Sequence, residues 1–256
     1  MYASKYKSID NESGLLKKAA SLSLKSYKDP WPGELDTSHW GRFVVGRYST
    51  VADLVYDRGA VYITVRGTEP EDAGDWASNL DTGRTPIPEL MGHAHRGFYQ
   101  AAAGLFRELR EPVLDLVVPG SRPVFVTGHS RGGAIAQLLQ PMLDGLGAWT
   151  GLWTFGAPPV LDARAADTAG RLFGTRAMRV QAGNDPVPRL HIDPYRHPHS
   201  RFLYLDSFGR PYPDRIPVPV RIQQAAIRWA NRHNWFRFSG LHEHRMEHYK
   251  KLVDAL

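Results

Sequence analysis

The chain contains no cysteine. That absence excludes a disulfide scaffold, a thiolate zinc site, an iron–sulfur cluster and a cysteine nucleophile, and it leaves the redox compartment open. Long apolar runs are missing too. The least charged stretch, Gly145 to Leu161, carries four Gly and two Pro, so it reads as loop, strand and loop instead of a spanning helix. Met1 to Asp10 is polar and Leu15 to Leu24 is broken by Lys17, Lys18, Ser21 and Ser23, which predicts no signal peptide and a cytoplasmic protein or one exported by a signal-independent route. Residues 1–195 have no surplus of either charge. The whole net charge of +6 lies in residues 196–256, where 11 basic residues face 5 acidic ones. A basic tail can meet anionic lipid or nucleic acid, or simply be solvated. Nucleic acid has nothing else to support it and is not expected.

What is present is ordinary globular material, 42% hydrophobic and 23% charged over 256 residues, enough for one good-sized core. Ser13 to Tyr27 has helical spacing of Leu15, Leu16, Ala19, Ala20 and Leu24, stopped by Asp29-Pro30-Trp31-Pro32-Gly33. Phe43–Val45, Val51–Val55 and Val61–Val65 read as neighbouring strands. A helix at Gly97–Leu109, a strand at Val124–Thr127, a helix at Gly132–Leu143 and strands at Leu152–Phe155 and Arg176–Gln181 follow. This alternation predicts an α/β fold in one domain, a largely parallel sheet with helices on both faces and a site at the carboxyl ends of its strands.

Val124-Phe125-Val126-Thr127-Gly128-His129-Ser130-Arg131-Gly132-Gly133 is a strand followed by G-x-S-x-G and a helix. The turn needs glycines two residues before and after the serine because two backbones approach there. Ser130 is the expected nucleophile, at a helix amino terminus that favours developing negative charge. Its base and orienting acid should follow in the order Ser, Asp or Glu, His. Asp185, on a loop stiffened by Pro186 and Pro188, fits the acid, with Asp162 the weaker candidate. His242, His244 and His248 all fall in a predicted terminal helix over 241–256. His242 extends the Met246, Tyr249, Val253 and Leu256 face and reads as a packed residue, His248 lies one turn inside, and spacing does not choose among the three.

At this point the sequence resembles the class 3 lipases of the α/β-hydrolase fold. The likeness runs from about Phe43 to Leu256. Val65-Arg66-Gly67-Thr68 with Asp75-Trp76 and Asn79-Leu80 resembles the family's R-G-T and D-W-x-x-N-L signature, and His95-Arg96-Gly97-Phe98 its H-x-G-F helix start. Thr154-Phe155-Gly156-Ala157-Pro158 is similar to T-F-G-x-P, Asp185-Pro186-Val187-Pro188-Arg189-Leu190 to D-P-V-P-R-L, and His244-Arg245-Met246-Glu247-His248-Tyr249 to H-x-M-x-x-Y. The resemblance implies Ser130 as nucleophile, Asp185 as orienter and His244 as general base, with Thr68 and the Arg131 N–H in the oxyanion hole. It implies a serine hydrolase of lipid carboxylic esters, a triacylglycerol-type lipase or esterase. A phospholipase acting on glycerophospholipids, and a non-catalytic hydrolase-fold lipid-binding protein, are the other readings. No cofactor is required.

Arg131 departs from the family's usual apolar residue. Its charge suits a substrate phosphate or carboxylate, or an ion pair with an acid such as Asp162. Glu69 to Leu80 occupies the place of the family's lid, but four acids leave it a poor apolar cover. His93, His95, His191, Asp193, His197 and His199 invite a metal reading, yet Pro194 and Pro198 make their loop extended, and solvated histidines are the expectation. Finally, a basic helical insertion at about 207–240 is expected. Within it, Arg221, Arg228 and Arg232 share a helical face opposite Ile222, Ala226, Trp229 and Ala230, the pattern either of a helix docked on the core or of one in peripheral contact with an anionic membrane surface.

Overall fold

The structure, a computed structural model, describes residues 9–28, 39–45, 49–68, 83–117, 122–190, 193–231 and 242–256. Ten strands are seen among them: β1 (His39–Val45), β2 (Thr50–Asp57), β3 (Ala60–Val65), β4 (Arg84–Ile87), β5 (Gly92–His95), β6 (Val124–His129), β7 (Thr150–Phe155), β8 (Ala177–Ala182), β9 (Arg201–Leu205) and β10 (Pro211–Pro213). The helices are α1 (Ile9–Lys25), α2 (Arg96–Leu116), α3 (Arg131–Asp144), α4 (Ala163–Phe173), α5 (Val218–Asn231) and α6 (Met246–Asp254).

Eight strands form one sheet in the order β1-β2-β3-β6-β7-β8-β9-β10. The centre, from β3 to β9, is parallel, and the β1-β2-β3 meander and the β9-β10 hairpin add antiparallel edges. Central strands are buried on both faces, which is why they read as continuous apolar runs. Alternation then divides them. Val61, Ile63, Val65, Val124 and Val126 join the cluster beneath α2, α3 and α4, whereas Tyr62, Phe125, Trp153 and Phe155 point to the other face and meet Leu16, Ala19, Ala20 and Leu22 of α1 with Met246, Tyr249 and Val253 of α6. Each fully buried aliphatic side chain stabilises this arrangement by roughly 1.5–3 kcal/mol. Helix α3 is buried on every residue from Gly132 to Leu143, being held between the sheet and α2.

The expected strands and helices appear with shifted ends, the largest shift being in α2, which runs on to Leu116. Four differences matter. The β4-β5 hairpin and α4 were not expected, nor were β9 and β10, the latter lying within the expected helical insertion, and the terminal helix begins at Met246, after Arg245 as its cap, so His244 lies before it. His242 is exposed: the helical periodicity that would set it on the Met246 and Tyr249 face does not continue back across the break. The expected lid, Glu69 to Leu80, lies outside the described residues.

Candidate active site

The parallel register explains where the reactive residues meet. β3 and β6 are aligned with Val65 opposite Gly128, so the Arg66-Gly67-Thr68 turn leaves the sheet beside the turn that carries Ser130. Ser130 itself has φ 55 and ψ −126, a left-handed backbone that costs an L-residue about 1–2 kcal/mol. The flanking glycines make the strained turn feasible. A Cβ at Gly128 would lie 2.5 Å from the Gly132 carbonyl, and one at Gly132 would lie 2.1 Å from the Val65 carbonyl oxygen. The elbow is therefore clamped against the end of β3, and Arg131, as the first helical residue, has an N–H with no acceptor within the helix.

Two loops complete the cluster. Asp185 follows β8 and is fully buried, with its Oδ1 accepting from the Val187 N–H at 2.9 Å. His244 bridges the gap: its Nδ1–H donates to Asp185 Oδ2 at 2.8 Å, and its Nε2 stands 2.7 Å from Ser130 Oγ. Nε2, an imidazole nitrogen able to accept a hydroxyl proton, thus faces the Ser130 hydroxyl, and the ring is fixed from behind.

Sequence reasoning gave Tyr249, Gly156, His129 and Tyr27 no role here. The Tyr249 hydroxyl donates to Asp185 Oδ2 at 2.6 Å and accepts from the Ala182 N–H at 3.1 Å. Burial, and then the Asp185 charge, hold this phenol well above its ordinary pKa, so it stays a donor. Gly156, at φ 58, gives the three groups room: a Cβ there would meet Asp185 Oδ2 at 2.7 Å, the Tyr249 hydroxyl at 3.0 Å and His244 Nδ1 at 3.1 Å. His129 lies 2.5 Å through Nε2 from the His244 carbonyl, which only accepts, so that nitrogen carries the proton. Burial, then the neighbouring His244, push the His129 pKa well below 6.5 and keep the ring neutral. Nδ1 therefore accepts from the Tyr27 hydroxyl, 2.7 Å away. The same hydroxyl touches Gly67, where a Cβ would come within 2.0 Å of it. The final letter of H-x-M-x-x-Y and the glycine of T-F-G-x-P were the available signals for Tyr249 and Gly156.

Thr68 lies half-buried, three residues beyond the end of β3. The Arg131 guanidinium donates to Thr50 Oγ1 at 2.7 Å, and burial lowers its pKa. The ion pair with Asp162, one of the two alternatives offered for Arg131, is not formed. Asp162 instead caps α4 through the Ala165 N–H at 2.9 Å and holds Arg84 at 2.9 Å and His93 at 3.1 Å, which also removes it from contention as the orienting acid.

Of the histidines considered as metal ligands, His93, His95 and His197 go to separate partners, and the expectation that they are solvated is corrected for His95, which is buried, while His199 is exposed. His93 is on Asp162. His95 packs against Phe98 and Tyr195, and His197 bonds the Pro188 carbonyl at 2.9 Å while burial, followed by Arg179, lowers its pKa to about 3. His191 lies outside the described residues. Among the described residues no three His, Asp or Glu side chains converge as a metal site would require.

The family model described as lipase (class 3) matches residues 62–194. An Arabidopsis thaliana protein named triacylglycerol lipase OBL1 is 28% identical over 227 residues, covering 66% of this chain and 43% of that protein. A secreted mono- and diacylglycerol lipase of Fusarium solani is 31% identical over 156 residues, covering 59% and 45% respectively. The chain thus spans less than half the length of these curated relatives. Among solved structures, the Rhizomucor miehei triacylglyceride lipase superposes with a TM-score of 0.67 at 24% identity, over 80% of this chain and 84% of that one. The Lip2 lipase of Yarrowia lipolytica gives 0.64 at 20% identity, over 78% and 80%. These likenesses show the α/β-hydrolase fold.

Proposed function

The chain belongs to the class 3 lipase family, and from that premise we propose that it hydrolyses carboxylic esters of lipids through an acyl-enzyme on Ser130. The observation that carries this reading is the unbroken chain Ser130–His244–Asp185, at 2.7 and 2.8 Å, with all three side chains buried. In the proposed reaction His244 Nε2 takes the hydroxyl proton as Oγ attacks the ester carbonyl. Asp185, fixed by Val187 and Tyr249, stabilises the imidazolium so formed. The oxyanion is held by the N–H of Arg131, aided by the α3 amino terminus, and by the Thr68 N–H and hydroxyl. Collapse of the tetrahedral species passes the proton from His244 to the leaving alcohol, and a water activated by the same nitrogen releases the acid.

Acylglycerols are the substrates named for the relatives from Arabidopsis and Fusarium, and we propose them here. Phospholipids are the second reading, supported by 31% identity over 138 residues to an Arabidopsis phospholipase A1. Either substrate is presented at an interface, and the basic charge of residues 196–256 supports peripheral contact with anionic bilayers. The test is labelling with a fluorophosphonate together with turnover of a p-nitrophenyl ester. The parent should label and turn over, whereas Ser130→Ala should lose labelling and roughly 10⁴-fold or more of its rate. A Ser130→Ala rate within tenfold of the parent refutes the assignment.

A further inference from the structure

Helix α5 leaves most of its large apolar side chains exposed. Its buried side carries Val220, 8% exposed, and Gln224, 3% exposed, which accepts from Asn184 Nδ2 at 3.3 Å and lies 2.6 Å from the Ser207 hydroxyl, itself 2.8 Å from Glu243. Glu243 in turn accepts from the Asn184 N–H at 2.5 Å. Its outer side is apolar: Val218 is 63%, Ile222 65% and Trp229 59% exposed. At about 100° per residue these three and Ala225 share a sector roughly 60° wide, some 150° away from Val220 and Gln224. Of the two readings offered for this helix, docking on the core through Ile222 and Trp229 is corrected, since both are exposed and Arg221, also exposed, flanks them; Arg232 lies outside the described residues.

The surroundings share this character. Phe208, 61% exposed on the turn before β10, has the exposed Arg210 guanidinium 5.4 Å from its ring centre. Half of the large exposed hydrophobics among the described residues lie between 208 and 229. Arg210, Arg215 and Arg221 are exposed in that stretch, against one exposed acid, Asp214. An apolar ridge edged by arginines is the pattern of a helix that lies in a lipid interface, its apolar side among acyl chains and its guanidinium groups at the phosphates. Asn184 adjoins Asp185 and Glu243 adjoins His244, so the hydrogen bonds of Gln224 tie this ridge to both loops of the candidate active site.

We propose that the outer face of α5, with the Phe208 turn beside it, is the surface by which the protein docks on an anionic bilayer. The proposal deepens the lipid-ester reading and rests on it only for the reason such docking is useful. The experiment is sedimentation of the full chain with vesicles of phosphatidylcholine alone and of phosphatidylcholine mixed with phosphatidylserine. The parent should sediment with the mixed vesicles at low ionic strength, be released as salt shortens the screening length, and leave pure phosphatidylcholine vesicles largely unoccupied. Val218→Ser with Ile222→Ser should lower the partition coefficient roughly tenfold or more, Arg221→Gln about fivefold, and Val218→Leu with Ile222→Leu should retain it. Equal binding to both vesicle types, or serine variants that bind like the parent, overturns the proposal. So does a dimer in solution that the serine variants dissociate without any vesicle binding, which assigns the face to a second copy. Turnover of a water-soluble ester by the parent is measured in parallel: its absence would sink the hydrolase reading while sedimentation still decides the docking surface.

Discussion

Gly156→Ala should separate the proposed catalytic geometry from the stability of the fold. Gly156 has φ 58 and its missing Cβ would sit 2.7 Å from Asp185 Oδ2, whereas Gly147 has φ 84 with nothing within 4 Å of the same position. Alanine at 147 therefore meets only the left-handed backbone, a cost of about 1–2 kcal/mol, or roughly 2–4 °C in Tm per kcal/mol for a chain of this size. Alanine at 156 meets that cost and a collision besides. Ordinary contact begins near 3.4 Å, so the carboxylate oxygen must retreat by about 0.7 Å. Moving it away from His244 would stretch a 2.8 Å hydrogen bond to the edge of bonding distance. Tyr249 and Nδ1 of His244, at 3.0 and 3.1 Å from the new methyl, are pressed as well. A misplacement of this order costs roughly 10²-fold in rate, below the roughly 10⁴-fold seen when an orienting aspartate is lost altogether. The assay is kcat on a soluble p-nitrophenyl ester beside thermal unfolding for both variants. Gly147→Ala should lower Tm with kcat unchanged, and Gly156→Ala should lower both. A Gly156→Ala kcat within twofold of the parent would refute the reasoning.

Two further perturbations address how the proposed base and its acid are held. Of His242→Ala, His244→Ala and His248→Ala, only His244→Ala should approach the loss of the serine variant on the same ester; a comparable loss at exposed His242 would mean that the base has been misassigned. Tyr249→Phe removes the 2.6 Å bond to Asp185 and leaves the buried Ala182 N–H without its acceptor. The expected result is about 2–4 kcal/mol less stability in denaturant unfolding and a kcat lowered about tenfold at little change in KM; full activity and stability would show that the hydroxyl is idle.

Legibility in the sequence followed the range of the forces. The strand and glycine pattern around Ser130 is local, dictated by backbone sterics within six residues, and so it could be read directly. Asp185 was legible for a similar reason, from a loop with prolines on each side. His244 was not separable from His242 and His248 by spacing, because Arg245 stops the helix at a position that periodicity alone does not mark. Tyr27 and His129 act across 102 residues, a pairing that only the packing of α1 against the sheet creates. The β4-β5 hairpin escaped because its strands are four residues each and one contains Pro86, and α4 because it is only 11 residues long and carries Gly170 inside it, although its buried and exposed faces are well separated. In α5 the periodicity was real but its direction was not readable, since Gln224 faces inward to a polar cluster supplied by Asn184, Ser207 and Glu243.

The clamp from Tyr27 through His129 to the His244 carbonyl also sets a timetable for biosynthesis. Its two spans are 102 and 115 residues of chain. At roughly 5–20 residues per second, His244 leaves the ribosome on the order of ten seconds after Ser130. During that interval β3, β6 and β7 can pair and set the elbow, yet Ser130 has no His244 beside it, and Leu16, Ala19 and Leu22 of α1 await the Met246, Tyr249 and Val253 side chains that cover them. A nascent chain therefore lacks the proposed Ser130–His244 pair until α6 docks, and translation that stalls before residue 244 yields a product without it that exposes an apolar seam to chaperones and proteases.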